Sequence, residues 1–241
     1  RGINVMIVRY NALTNVGKVR KLNEDSIAAL PEQNIWAVSD GMGGHAGGDF
    51  ASQTVVEQIM MLPNDLNARD AMVSVRNSFF ESHTIIRDEA DRIGVSTMGA
   101  TIVAMLIADN HFVAFWAGDS RLYRVRDGSI DMLTSDHSVV AELVHLGELT
   151  WDEAEKHPQS NAITRAVGVG DELEVDKVRG ELETGDRYLL CSDGLTKYAT
   201  FDILLSAMTG TPIETVSEKL LTIALDGGGA DNISIIVIDV I

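Results

Sequence analysis

Apolar runs of strand character alternate along this chain with stretches of helical period. Asn4 to Tyr10 mixes Val, Ile and Tyr with polar residues and predicts a first strand, followed by a turn-rich polar segment through Asn15 and Gly17. Ser26 to Leu30 and Ile35 to Ser39 predict two strands joined by the turn Pro31-Glu32-Gln33-Asn34. The period then lengthens. Phe50, Ala51, Val55, Ile59 and Leu62 recur at helical spacing up to Pro63, and a second helix is predicted from about Ala68 to Arg92, with Ala71, Met72, Val75, Phe79 and Ile86 facing inward. From Gly99 the strand pattern returns in Ala100 to Ala108, His111 to Ala117 and Leu122 to Arg126, read as an antiparallel meander. Asp136 to Val167 carries mixed helical signals (Val139 to Leu146, Trp151 to Lys156), a capping box at Thr150-Trp151-Asp152-Glu153 and no strand, as an insertion over a sheet edge would. A strand at Arg187 to Cys191, a helical region from about Phe201 to Leu225 and a strand over Ile233 to Val240 complete the pattern. Three groups of strands separated by helices suit packed sheets with helices outside, and no linker divides the 241 residues, so one domain is expected.

Charge narrows the function. Asp and Glu number 36 against 19 Lys and Arg, a formal net charge of −17, which argues against a nucleic-acid or anionic-membrane surface. Cys191 is the one cysteine, so no internal disulfide can form and a buried thiol is expected. No apolar run reaches the length of a membrane span, and a cytoplasmic setting is expected.

The candidate chemistry begins where the apolar run Ile35-Trp36-Ala37-Val38 meets Ser39-Asp40-Gly41-Met42-Gly43-Gly44-His45-Ala46-Gly47-Gly48-Asp49. Five glycines in eight positions give backbone freedom or close approach, and leave carbonyls uncovered beside Asp40. Such oxygen-rich corners suit magnesium or manganese. The predicted hairpin brings Asp25 beside Asp40, and the repulsion between them is most simply relieved by a cation. Ser192-Asp193-Gly194 repeats the arrangement of an apolar strand followed by Ser-Asp-Gly. Asp119, in the turn Gly118-Asp119-Ser120, and Asp231, opening the last strand, extend the set to five aspartates at predicted strand ends.

All of these ligands are oxygens, which disfavours structural zinc. The six histidines show no helical pair at ligand spacing, and only His45 lies in the glycine loop. Arg20, five residues before Asp25, can present a fixed cation to a phosphate. Divalent ions and an arginine together point to phosphate ester hydrolysis.

These residues fall into an ordered series: Gly17-x-x-Arg20-x-x-Asn23-Glu24-Asp25, Asp40-Gly41-Met42-Gly43-Gly44-His45, Gly99-Ala100-Thr101, Ala117-Gly118-Asp119-Ser120-Arg121, Ser192-Asp193-Gly194-Leu195 and Gly229-Ala230-Asp231-Asn232. The series resembles the metal-dependent protein phosphatases of the protein phosphatase 2C type, in particular their bacterial branch, over about Val8 to Val240. The resemblance implies an α+β fold, a four-layer αββα sandwich of two central antiparallel sheets flanked by helices, in a single catalytic domain over 1–241. It implies a protein serine/threonine phosphatase that attacks phosphoserine and phosphothreonine with a water shared by two Mn2+ or Mg2+ ions. By motif position Asp40 would bridge the two ions, Gly41 would lend its carbonyl, Asp193 and Asp231 would complete one shell, and Asp25 would support the pair directly or through water. Asp119 with Asp193 matches the place of a third ion, and Arg20 that of the phosphate-binding residue. Met42 stands where animal members carry a histidine, so the proton donor is open between a metal-bound water and His45. The stretch from about 138 to 165 matches the family's flap. Phosphorylated proteins are the implied substrates, with an opposing serine/threonine kinase, and a monomer is expected. The alternative is a catalytically silent domain of the same fold, whose mark would be missing metal aspartates. A nucleotide-binding module is disfavoured, because Asp40 to Asp49 has neither the lysine nor the glycine spacing it requires.

Overall fold

Two antiparallel sheets form where the period-two runs pair, and side-chain alternation decides which residues lie between them. The computed structural model describes residues 7–43 and 47–241. Val8–Asn15 (β1), Ile233–Val240 (β11), Arg187–Cys191 (β10), Arg121–Arg126 (β7) and Ser129–Met132 (β8) make one sheet in that spatial order. Asp25–Leu30 (β2), Ile35–Met42 (β3), Ile102–Ala108 (β5), His111–Ala117 (β6) and Asp176–Glu181 (β9) make the other, and Gly99–Ala100 (β4) pairs with β3. Trp36, Val38, Val103, Met105, Ala114, Leu122, Tyr188, Leu190, Ile236 and Ile238 fill the space between the sheets.

Helices close both outer faces. Gly48–Met60 (α1) and Ala68–Ile93 (α2) bury Val55, Ile59, Val75, Phe79 and Ile86 against the second sheet. Asp193–Thr196 (α5), Phe201–Met208 (α6) and Ile213–Gly227 (α7) bury Leu195, Leu204, Val216 and Leu220 against the first. The layering is that of the αββα sandwich. No helix among the described residues is long and apolar enough to cross a membrane.

Several elements depart from the sequence reading. The expected first strand begins outside the described residues, and β1 continues through the segment read as turn to Asn15, because β11 pairs with it along all eight positions. The expected meander is split: β5 and β6 pair in one sheet, whereas β7 joins the other, so Gly118-Asp119-Ser120 carries the chain across the sandwich. The run from Ala100 is interrupted at Thr101, whose N–H donates to the Asp40 carbonyl at 2.9 Å. β8 and β9 lie where the sequence pattern predicts no strand. β9 is an edge strand with polar, exposed positions, which blunts the apolar alternation that would reveal it. The helical region after Phe201 breaks at Thr209–Pro212, where Gly210 takes a φ of +71°. Asp193 does not end a strand; it is the first residue of α5. Within 138–165, Val139–His145 (α3) and Trp151–Ala154 (α4) form where helical signals were read, and the Thr150–Glu153 capping box closes in both directions.

Candidate metal centre

The apolar space between the sheets ends in oxygen. On β3, Trp36 and Val38 face inward, so Asp40 does too, and Ile27 and Ala29 give Asp25 the same parity on β2. On the facing sheet, Tyr188 and Leu190 lead to Ser192, and Ile238 and Ile236 lead to Ser234. Asp25 is the register partner of Asp40, as the hairpin predicts. Its Oδ2 accepts from Ser192 Oγ at 2.8 Å and Ser234 Oγ at 2.7 Å, which ties the two sheets together at this end.

Backbone contacts fix the loops around these aspartates. Gly41 donates its N–H to the Glu24 carbonyl at 3.0 Å, and a Cβ on Gly41 would collide with the backbone of Gly48 and of Glu24. A Cβ on Gly194 would likewise strike the Asn232 carbonyl. Both glycines of the repeated Ser-Asp-Gly are thus required by close approach. Asn232 holds the Arg20 loop: its Nδ2 donates to the carbonyls of Val16 (2.9 Å) and Leu22 (3.0 Å), and its Oδ1 accepts from the Glu24 N–H at 2.8 Å. Thr101 Oγ1 accepts from the Asp40 N–H at 3.0 Å and shares a hydrogen bond with Ser120 Oγ at 2.7 Å, beside Asp119.

Arg20, Asp40, Gly41, Asp119, Asp193 and Asp231 line one cavity of about 260 Å3, together with Glu24, Met42, Thr101, Asn161, Ile163 and Lys197. Asp25 is buried beneath it, 6% exposed. A larger cavity of about 750 Å3 lies at the opposite end of β3, against Ile35 and Leu106, and none of the expected site residues lines it. His45 lies outside the described residues. None of the five described histidines lines the acidic cavity. His83 Nδ1 accepts from the Gly168 N–H at 2.9 Å, and His137 stacks on Trp116, so both serve the fold. Cys191 is fully buried, and burial pushes its thiol up.

Electrostatics single out the carboxylates. Burial pushes the Asp25 carboxyl up to about 7 against the pull of Ser234 and Ser192, with Asp193 and Asp231 adding to the rise. Asp40 is pushed well above the carboxylate range by burial and then by Asp25, Asp193, Asp119 and Asp231. Asp119 rises for the same reasons, burial first and then Asp193 and Asp136. Burial would also raise Asp231, but Lys197 and then Arg20 outweigh it and hold this carboxyl below its usual value. Arg20 reaches Asp231 with two nitrogens, Nε to Oδ1 at 2.9 Å and Nη2 to Oδ2 at 3.0 Å.

Two oxygens decide whether the set suits a cation: Asp25 Oδ1 and Asp193 Oδ1 are buried with no hydrogen-bond partner among the described residues. A buried carboxylate oxygen without a donor is costly unless a cation satisfies it, and every candidate ligand is a hard oxygen. The residues therefore fit Mg2+ or Mn2+. Among the described residues no three His, Cys, Asp or Glu side chains already close into a cage. The aspartates are arrayed around the cavity instead, with Arg20 and Lys197 interposed.

Comparison with known proteins gives the same grouping. A family profile described as Protein phosphatase 2C matches residues 18–220. The chain belongs to the protein phosphatase 2C family. It is 38% identical over 242 residues to the serine/threonine protein phosphatase PstP of Mycobacterium tuberculosis, a match covering 98% of this chain and 46% of that protein. The chain thus spans about half the length of that relative. It is 35% identical to the protein phosphatase PhpP of Streptococcus pneumoniae, over 95% of this chain and 96% of PhpP. Its fold superposes with a TM-score of 0.89 on the catalytic domain of PstP in complex with two manganese ions, at 35% identity, covering 98% of this chain and 100% of that one.

Lys197, the Ser192–Ser234 pair and Thr101 join the site beyond the residues that the sequence points to. Ser234 carried a signal: it is a polar residue at an inward position of the apolar run Ile233–Val240. Lys197 also carried a local signal: it stands four residues after Asp193, the spacing of an ion pair on one helix face.

Proposed function

We propose that this domain is a metal-dependent protein serine/threonine phosphatase. The observation that carries the reading is the pair of buried, partnerless oxygens, Asp25 Oδ1 and Asp193 Oδ1, within a ring of carboxylates that raise one another. In this reading Asp40 and the Gly41 carbonyl would help hold two ions, Asp193 and Asp231 would complete the shell of one of them, and Asp25 would support them from below. Asp119 and Asp193 would hold a third. Bound Mn2+ or Mg2+ supplies Lewis acidity and a water acidified toward neutral pH.

The chain's own residues do the rest. Arg20 is half exposed at the rim, and its guanidinium orients a phosphate dianion by paired hydrogen bonds. The Asp25 hydrogen bonds to Ser192 and Ser234 keep the carboxylates from relaxing outward, so the cluster is preorganised. Asn161 and Ile163, from the stretch 138–165, form part of the cavity wall and meet whatever flanks the phosphoresidue. This gives that stretch the role of a flap that influences substrate choice. Residues 1–241 act as one catalytic domain, its substrates are phosphoserine and phosphothreonine proteins, and its work opposes a serine/threonine kinase. A monomer in a cytoplasmic setting accords with the acidic composition.

The test is hydrolysis of a phosphothreonine peptide with Mn2+, with Mg2+ and with EDTA, beside the Asp193→Asn variant. Turnover that requires the metal and falls by about 10³-fold or more in the variant is expected, the scale on which a lost catalytic electrostatic group acts. Activity in EDTA, or near-normal activity of a folded Asp193→Asn protein, overturns the reading.

A further inference from the structure

Lys197 enters the site by two independent elements. It caps the C-terminal end of α5, four residues after Asp193, a separation that stacks side chains on one helix face. The segment leading into β11 brings Asp231 to the same point. The Lys197 ammonium lies 2.7 Å from Asp193 Oδ2 and 3.2 Å from Asp231 Oδ2, and its side chain is only 19% exposed. It therefore spans the two carboxylates that the proposed function assigns to one ion.

An ammonium has donors and no acceptor, so it satisfies carboxylate lone pairs as a cation does. Divalent cations of the Mn2+ and Mg2+ type draw on the same lone pairs. Arg20 differs in this respect: among the described residues it pairs with Asp231 alone, from the half-exposed rim. A dication taking up Asp193 and Asp231 must loosen the Lys197 pairs, and the lysine, tethered in place, is always present to re-form them.

We propose that Lys197 is a built-in competitor for the divalent ion at Asp193 and Asp231, and that it sets the metal affinity of this chain below what its carboxylates alone would give. The proposal rests on the metal-site reading above. Its consequence is a site that fills in response to metal concentration instead of holding an ion permanently.

The experiment is calorimetric titration of the EDTA-stripped, dialysed protein with MnCl2, using wild type, Lys197→Met and Lys18→Met. Lys18 is an exposed residue of the Arg20 loop and controls for the loss of one positive charge near the site. Lys197→Met is expected to bind Mn2+ about fivefold or more tightly, since two partly buried ion pairs no longer compete, and Lys18→Met to stay within about twofold. Unchanged or weaker Mn2+ binding in Lys197→Met overturns the proposal, as does an equal gain in Lys18→Met, which would make the effect one of net charge alone. Should circular dichroism find Lys197→Met unfolded, Lys197→Gln is titrated in its place and judged by the same criteria. Absence of Mn2+ binding in every variant would overturn the metal-site reading along with this one. Binding that is present but indifferent to Lys197 would overturn only the competition.

Discussion

Asp25 and Asp40 are paired across the β2–β3 ladder at the point where the space between the sheets turns from Val38 and Ile27 to carboxylate. Facing residues on one side of an antiparallel pair have Cβ atoms only about 4.5–5.5 Å apart, and like charges placed so destabilise a sheet. The fold accepts this penalty at one end of the sandwich and relieves part of it with Ser192 and Ser234. Asp25→Asn keeps an oxygen to accept those hydrogen bonds and removes the repulsion. In EDTA its melting temperature is expected to rise by about 2–4 °C for each kcal/mol relieved, while the further gain from added Mn2+ shrinks relative to wild type. Scanning calorimetry in the two buffers checks both halves. A metal-stripped variant less stable than wild type contradicts the argument.

Arg121 is the second place where charge is buried, 4% exposed. It meets Asp136 with paired hydrogen bonds (Nε to Oδ1 at 2.9 Å, Nη2 to Oδ2 at 2.6 Å) and Glu155 at 2.8 Å, with its guanidinium over the Trp151 ring. One cation thus joins β7 to the loop at Asp136 and to the end of α4. Arg121→Met leaves two carboxylates facing one another without a counter-charge and is expected to cost about 3–5 kcal/mol in urea unfolding. Glu155→Gln, which spares the Asp136 pair, costs less, and digestion then proceeds faster at 155–163 than elsewhere. An Arg121→Met protein as stable as wild type removes this network from the account of how the 138–165 stretch is held.

Asp186 gives a pH dependence whose sign is fixed by its partners. Burial would raise its carboxyl, but Arg126, with two bonds of 2.6 Å, the Glu183 N–H at 2.9 Å and the Tyr188 hydroxyl at 3.0 Å hold it below the ordinary 3.8. A depressed carboxyl contributes stability that is complete above the unfolded value and is lost as pH falls through the folded one. Asp186→Asn is therefore expected to cost the lower end of about 3–5 kcal/mol at pH 7, with the gap to wild type closing as pH falls below 3.8. Urea unfolding across that range decides it, and a gap that widens toward acid refutes the assignment.

The legibility of this chain followed local chemistry. The β2–β3 hairpin, α1, α2, the Thr150 cap and the five aspartates each had a period, a turn or a motif to announce them, and the structure brings the aspartates to one end of the sandwich. The split of β6 from β7 had no such mark, since a Gly-Asp-Ser turn reads alike whether it closes a hairpin or crosses between sheets. β9 escaped because an exposed edge strand needs no apolar stripe. Half of the Lys197 placement is local, the four-residue step from Asp193; its pairing with Asp231, thirty-four residues away, is a property of the packed fold.

If Arg20 binds the substrate phosphate as proposed, substrate binding can be separated from metal binding at this residue. Its two nitrogens on Asp231 hold it at the rim, where burial is slight and the planar fork can turn toward a phosphate. Arg20→Lys keeps the charge and loses the fork, so the loss falls on phosphate geometry and leaves the carboxylates beneath intact. The kcat/KM for a phosphothreonine peptide is expected to fall about ten- to a hundredfold, the range given by losing one charge-assisted hydrogen bond worth about 1.5–3 kcal/mol. Most of that change should appear in KM, because the bond is made to bound substrate and transition state alike. The Mn2+ affinity measured by calorimetry should stay within about twofold of wild type, since one cation replaces another beside Asp231. A variant that loses Mn2+ affinity and kcat together while KM holds would place Arg20 among the residues that organise the carboxylates, and would remove it as the phosphate-binding residue.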